Sequence, residues 1–272
     1  MAPDRQPAGA TMSRRGLLIV NADDWGGFSA GTDAIETCFA IGAISSTTAM
    51  VHMADSDRAA ELARERERPT GLHLNLTQPY DAPAVPAPVR ERQLRLCAHF
   101  SALHRRRWTL SPDLRVHRLV ADGIRDQLEE FHERYEREPT HIDSHHHVHV
   151  CPDVFCSCAL APGTRVRQAL SFAPGAKPRG AKGLAMGLAR VAKQRLLARR
   201  YLTTERFWCA YELSDGDGAV PIADAAAYAA THAIEIMVHP SFESDIAVLR
   251  SEAWLEALRD APLASYASLA RA

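Results

Sequence analysis

The chain alternates between short apolar runs and longer stretches in which apolar side chains recur every three or four residues. The runs predict buried strands at residues 17–22, 45–52, 71–76 and 234–238. The clearest helical period lies in the middle of the chain, at Leu119, Val120, Ile124, Leu128, Phe131 and Tyr135. Pro139 is expected to end that helix.

Capping and turn residues predict the boundaries of the other elements. A helix should follow the first strand, with Ser29 as its N-cap and Gly42 as its stop. Asp55 should cap a second helix that continues into the charged residues 61–68. A last helix is expected around Trp254.

Strands that alternate with helices predict a mainly parallel sheet with helical crossovers. Residues 140–150 are expected to form a further strand and its carboxyl end. A long loop is predicted from Pro79, Pro83, Pro86 and Pro88. An open doubly wound sheet and a closed barrel both fit this order. Because no internal repeat or second core is visible, we expect one domain.

Composition narrows the class of protein. The 272 residues are 46% hydrophobic and 24% charged, as in globular proteins, and a net charge of −1 argues against nucleic acid as a partner. No apolar run reaches the roughly 20 residues of a transmembrane helix, and no signal peptide is evident. We expect a disordered leader at 1–13, with Met12 as an alternative start, one domain at 14–272, and a cytoplasmic location.

Two segments have more than one interpretation. Residues 173–200 contain eight basic and no acidic side chains. They fit a solvated helical excursion, or a basic cover that recognises an anionic or lipid-linked substrate or a membrane surface. Cys151, Cys156 and Cys158 are expected to be ordinary thiols, and a thiolate metal site is the alternative.

Carboxylates and imidazoles fall at or near the predicted strand ends, where parallel α/β folds gather their functional groups. Asp23 and Asp24 follow the first strand, and a turn there would let both reach one site. Taken alone, this pair is more typical of an Asx turn or a helix N-cap. Likewise, His73 taken alone would be a core residue of the third strand.

The histidine-rich segment 141–149 is harder to explain as structure, because it contains five histidines within a predicted strand. If it is extended, His145, His147 and His149 share one face. His239 follows the last predicted strand, where it is either a general acid or a polar residue that ends the strand.

At these segments the chain resembles the YdjC-like carbohydrate deacetylases, which include chitooligosaccharide deacetylase and the hopanoid-biosynthesis-associated HpnK proteins. The matching motifs are LIVNADD at 18–24, SSTTAMV at 45–51, GLHLNLT at 71–77, PTHIDSHHHVH at 139–149 and EIMVHP at 235–240. The resemblance implies an α/β fold, a distorted TIM-like barrel with fewer than the full set of repeats. It also implies metal-dependent removal of an acetyl group from an N-acetylated sugar.

The resemblance assigns roles to individual residues at the matching positions. It implies that Asp24, His73 and His145 hold the metal, with Asp23 as general base and His239 as general acid. Arg167 and Trp25 are weaker candidates for contact with substrate; the family usually has Phe at the second of these positions. The stretch between the histidine segment and Arg167 is shorter than usual, so a crossover helix should be trimmed.

This ligand set suits one divalent ion, most simply Zn²⁺ or Mg²⁺, with Mn²⁺, Co²⁺ and Ni²⁺ also compatible. The expected substrate is an N-acetylated oligosaccharide, glycolipid or glycosylated natural product. Two alternatives stay open: a metal-dependent phosphoesterase or cyclic amidohydrolase, and a non-enzymatic metal-binding protein. The sequence is compatible with a homodimer and does not determine the oligomeric state.

Overall fold

A six-stranded parallel sheet lies at the centre of the computed structural model, which describes residues 16–101, 111–169, 180–213 and 222–270. The strand order is β4-β3-β2-β1-β6-β5. The strands are β1 (Leu17–Trp25), β2 (Ser46–Ala49), β3 (Thr70–Leu74), β4 (Ile142–Ser144), β5 (Arg206–Cys209) and β6 (Ala233–Val238). All neighbouring strands pair in parallel, so their carboxyl ends share one edge, hereafter the carboxyl edge.

Residues 164–167 continue the sheet beyond β4 and make it curl towards β5. The Ile142 amide donates a hydrogen bond to the Arg165 carbonyl, and the Val166 amide donates to the carbonyl of Leu202, a short distance before β5. Single pairings of this kind replace full strands on this side. The expectation of one α/β domain with a distorted, incomplete barrel is confirmed.

Helices cover the sheet and bury its apolar side chains. They are α1 (Ser29–Ala40), α2 (Ser56–Glu65), α3 (Ala87–Phe100), α4 (His117–Tyr135), α5 (Pro152–Cys156), α6 (Gly180–Arg200), α7 (Ile222–Ala229), α8 (Glu243–Leu249) and α9 (Glu252–Arg259). The core combines strand residues such as Val20 with helix residues such as Ile124 and Trp254. Burial of these large apolar side chains is the main favourable term in folding.

The predicted central helix is confirmed as α4, although it ends before Pro139. Glu136 adopts a left-handed conformation with φ of 54°, and this residue ends the helix. Between the histidine segment and Arg167 the chain forms one short helix, α5, of 5 residues.

Several local predictions were wrong. The segment predicted to be a proline-rich loop contains helix α3. Pro88 lies in the first turn of this helix, where a backbone N–H has no partner within the helix, so proline is tolerated there. Ser29 is the first residue of α1, and Phe28 takes the N-cap position. Asp55 is at the N-cap of α2, but its carboxylate pairs with Arg58. Strand β5 was not predicted.

The predicted leader, residues 1–13, lies outside the described residues, as do residues 173–179 of the basic segment; the rest of that segment is helical, within α6. Among the helices described, none combines the length and apolar character that a bilayer crossing requires.

Candidate metal centre and active site

An irregularity at the end of β1 turns two consecutive carboxylates towards the same edge. The pairing register with β2 shifts between Ala22 and Trp25, and Asp24 has a φ of 70°. A left-handed residue in a bulge breaks the alternation that would place neighbours on opposite faces. Asp23 and Asp24 therefore both reach the carboxyl edge.

Asp24, His73 and His145 form a compact group at this edge. The Asp24 Oδ1 atom lies 3.3 Å from His73 Nε2 and 3.2 Å from His145 Nδ1. Their ligand atoms all fall within 4.8 Å of one another. Among the described residues, Asp24 Oδ1 and His73 Nε2 are buried and make no hydrogen bond. Because orphaned buried polar atoms are costly, two imidazoles and a carboxylate in this arrangement fit a divalent ion.

The histidine segment reaches this site through a tight turn. Strand β4 ends at Ser144, and residues His145–Val150 form a 3-10 turn in which His146 and His147 both have φ of 57°. The expectation that His145, His147 and His149 share one face is therefore wrong. His149 is buried, with its ring atoms 2.7 Å from the Ser144 hydroxyl and 3.1 Å from the Arg167 carbonyl oxygen.

Asp143 orients the ring of His73. The Asp143 Oδ1 atom lies 2.8 Å from His73 Nδ1, so this nitrogen carries the proton when the ring is neutral and Nε2 keeps its lone pair towards Asp24. Thr48 supports the arrangement by donating its hydroxyl to Asp143. Burial lowers the pKa of His73, but the Asp143 and Asp23 carboxylates outweigh burial and raise that pKa above its ordinary value. The surroundings of His73 thus favour positive charge.

Asp23 is held by a buried guanidinium. The two terminal nitrogens of Arg167 each donate to one Asp23 oxygen at 2.6 Å. Burial alone would raise the pKa of Asp23, but the charges of Arg167 and His73 hold it well below its usual range. Asp23 is therefore ionised at neutral pH.

Arg167 does not reach the substrate side, so the structure corrects the expectation that it contacts substrate. It has no exposed surface. Besides Asp23, it contacts Asp143 at 2.7 Å and donates its Nε–H to Glu235 at 2.8 Å. The side chain lies behind the site and acts through the carboxylates it holds.

Trp25 is also placed differently from the expectation of substrate contact. Its side chain is fully buried in the core, and its indole N–H donates to the Ala59 carbonyl at 3.0 Å. Trp25 packs α2 against β1 and is not available to a ligand.

His239 lies across Asp23 from the metal group. Its Nε2 is 3.9 Å from Asp23 Oδ2, and its side chain is 22% exposed. The His239 amide donates to Asp245 at 2.7 Å, which fixes the turn after β6. The exposed Phe242 ring lies 5.2 Å from the His239 ring. The structure thus brings His239 together with the other predicted site residues and leaves its ring accessible.

A second group that could hold an ion consists of Asp23, His73 and Asp143. Arg167 already contacts the carboxylates of Asp23 and Asp143, so its charge opposes a cation there. No thiol belongs to either of the two groups in the described residues, so the alternative of a Cys151, Cys156 and Cys158 site is not supported.

Sequence reasoning missed the role of Glu235 and Tyr266. The Tyr266 hydroxyl donates to Glu235, whose other oxygen accepts from Arg167. Burial raises the pKa of Glu235. Arg167 and Tyr266 lower this pKa, but burial has the larger effect, and the pKa is about 7. A carboxylate inside an apolar strand was the available signal, because Glu is almost never fully buried without a partner.

Comparison with known proteins shows the family of this chain. A family model described as YdjC-like protein matches residues 17–267. The chain belongs to the YdjC-like family. A chitooligosaccharide deacetylase of Yersinia pestis is 37% identical to this YdjC-like protein over 144 residues, 51% of the chain and 53% of that relative. The Citrobacter koseri chitooligosaccharide deacetylase is 36% identical over 156 residues, 55% of the chain and 56% of the relative.

The YdjC-like chain thus spans about half the length of the curated relatives it matches. A solved structure of an Enterococcus faecalis protein, described provisionally as a cellobiose-phosphate cleavage protein, has a TM-score of 0.66 with it. That match is 22% identical and covers 94% of this chain and 100% of the other. At this identity the likeness concerns the fold.

Proposed function

We propose that this YdjC-like protein removes the acetyl group from an N-acetylated amino sugar, with one divalent ion held by Asp24, His73 and His145. The observation that carries the proposal is the position of Asp23, an ionised carboxylate fixed by Arg167 and 3.9 Å from the ring of His73. A metal-storage site needs no such neighbour. The names of the Yersinia and Citrobacter relatives support the same reaction class.

The residues divide the chemistry between them. A bound divalent ion would polarise the acetyl carbonyl and acidify water. Asp23 accepts a proton from the attacking water, since its carboxylate is ionised and Arg167 fixes its direction. His239 donates a proton to the amide nitrogen as the C–N bond breaks, so acetate and a free amine leave. Its ring is partly exposed, and its Nε2 faces Asp23.

The number of ions separates this proposal from the alternatives. Phosphoesterases commonly use two ions about 3.5–4 Å apart. Here Arg167 already pairs with the carboxylates of Asp23 and Asp143, which form the second group that could hold an ion. This pairing supports a single ion. It argues against a two-metal phosphoesterase and against a two-metal amidohydrolase. The imidazole and carboxylate ligands suit Zn²⁺. They are also compatible with Mg²⁺, Mn²⁺, Co²⁺ and Ni²⁺, because the ion that is bound depends on metal availability in the cell as well as on affinity.

An acetate-release assay tests the proposal. The full chain is incubated with N-acetylated sugars, chitooligosaccharides and glycolipids, with and without chelator, and metal content is measured in parallel. We expect acetate only in the metal-loaded sample, with one ion per chain. Asp23→Asn should keep the ion and lose on the order of 100-fold or more in rate.

The conservative variant Asp122→Asn, at a half-buried position of α4 where the carboxylate pairs with Arg125, is the matched control and should retain full activity. Two tightly bound ions per chain, or tight binding with no acetate from any substrate, would support one of the alternatives. An Asp23→Asn variant with the native rate would refute the role of Asp23.

A further inference from the structure

The carboxyl end of helix α6 is attached to the start of the short strand 164–167. The chain leaves the carboxyl edge after Arg167, and the Arg200 carbonyl at the end of α6 accepts a hydrogen bond from Gly163, at the opposite end of the short strand 164–167. The 21 residues of α6 span roughly 31 Å at 1.5 Å per residue. The strand segment spans only about 13 Å. Helix α6 is therefore more than twice as long as the strand segment beside its carboxyl end.

The helix carries an exposed apolar face. Leu184, Leu188 and Val191 are 58%, 65% and 38% exposed, and their spacing places them on one side of the helix. The opposite side is buried at Lys193 and Leu197. Exposed single leucines are ordinary on protein surfaces, but a row of them on one helix face marks an interaction surface.

Positive charge surrounds this face. Helix α6 contains six basic and no acidic residues, whereas the whole chain has a net charge of −1. The remaining residues therefore sum to −7. On the exposed face itself, Arg195 and Arg199 follow the apolar row towards the carboxyl end of α6. The charge is thus concentrated on the element that carries the exposed leucines.

We propose that this face of α6 docks on the surface of an anionic lipid bilayer. Aliphatic side chains next to arginines are the pattern of helices that lie in the bilayer interface. Each basic side chain near an anionic surface adds to binding. A nucleic acid would instead call for aromatic side chains on which bases stack.

A second copy of the chain fits this face less well. A symmetric dimer interface places the same patch of both copies together. Such an interface would gather Arg195 and Arg199 of both copies with no acidic residue of α6 to pair with them, and like charges brought together are unfavourable. An anionic bilayer satisfies both the apolar row and the charge.

Vesicle binding tests the proposal independently of any enzymatic activity. The full chain is sedimented with vesicles of phosphatidylcholine alone or with 30% phosphatidylglycerol, a composition chosen as about that of an anionic leaflet. We expect binding to the anionic vesicles that weakens in high salt. Arg195→Gln with Arg199→Gln should weaken it roughly 25-fold, and Leu184→Ser with Leu188→Ser at least about 10-fold.

Leu94→Ser with Arg118→Gln is the matched control, since both residues are exposed on other helices. It should bind like the unchanged protein, and all variants should unfold at the same temperature. The proposal is overturned if the unchanged protein does not bind the anionic vesicles, or if the control loses as much binding as the α6 variants. It is also overturned if the protein is a dimer that Leu184→Ser with Leu188→Ser converts to a monomer.

Discussion

Both terminal nitrogens of Arg167 lie 2.6 Å from the two carboxylate oxygens of Asp23. The same guanidinium lies 2.7 Å from Asp143, which in turn holds His73. One buried side chain therefore fixes the carboxylate proposed as base and, through Asp143, one proposed metal ligand. A planar guanidinium can do this because it presents several donors in a rigid arrangement.

Replacing Arg167 with Lys should show whether Arg167 positions Asp23 or contributes to the binding of substrate and metal. Lysine keeps the charge but cannot hold both oxygens of Asp23, so we expect kcat to fall on the order of 100-fold while KM and metal content change little. Steady-state kinetics and metal analysis measure this. Arg165→Lys is the control, because Arg165 is half-buried and its side chain donates to the backbone carbonyls of Ala267 and Leu269, away from the site. Equal losses in both variants would contradict a positioning role.

The histidine segment offers an adjacent pair for testing the metal group. His145→Ala should lose bound metal, because it removes one of three ligands. His146→Ala should retain it, since this neighbour is exposed and contacts the Thr77 hydroxyl. Metal content after dialysis and Zn²⁺ titration measure the difference. Retention of the ion by His145→Ala, with native affinity, would mean that the ligand group is misassigned.

His239→Ala should slow the hydrolysis of amides more than the hydrolysis of activated esters. A nitrogen leaving group needs a proton, whereas 4-nitrophenolate does not, so we expect a loss of about 100-fold or more with an N-acetyl sugar and only a small loss with 4-nitrophenyl acetate. His232→Ala, at a half-buried histidine before β6, serves as control. The same loss on both substrates would count against proton donation by His239.

Glu235 should make stability depend on pH. Its pKa of about 7 in the folded protein lies above the ordinary value of 4.5, because burial favours the neutral form. The folded state then binds more protons than the unfolded state between these values. This contribution is complete below pH 4.5 and is lost as pH rises through 7, with a magnitude on the order of 3 kcal/mol.

Urea unfolding at pH 5 and pH 8 measures this effect. Glu235→Gln mimics the neutral carboxyl, so its stability relative to the unchanged protein should be higher at pH 8 than at pH 5. Glu252→Gln, at an exposed helix position, should show no such difference. If the two variants behave alike, Glu235 is not protonated near pH 7 in the folded protein.

Local pattern was sufficient for most of the architecture. The apolar runs and the three-to-four spacing predicted β1, β6 and α4, because burial of one face imposes a period that is visible along the chain. The short strand β5 was missed, since four residues do not establish a period. Helix α3 was predicted as part of a loop, because prolines were interpreted as loop residues although one of them lies in the first turn of the helix.

The sequence by itself determined which side chains were available: two adjacent carboxylates, a histidine-rich segment and a histidine after the last strand, all near strand ends. Only the tertiary structure decided how they are used. The left-handed backbone at Asp24 and His146, the burial of Trp25 and the contacts of Arg167 with three carboxylates depend on chain segments far apart in sequence. Electrostatic and steric interactions between such segments depend on their distance in space, so they leave no local pattern in the sequence.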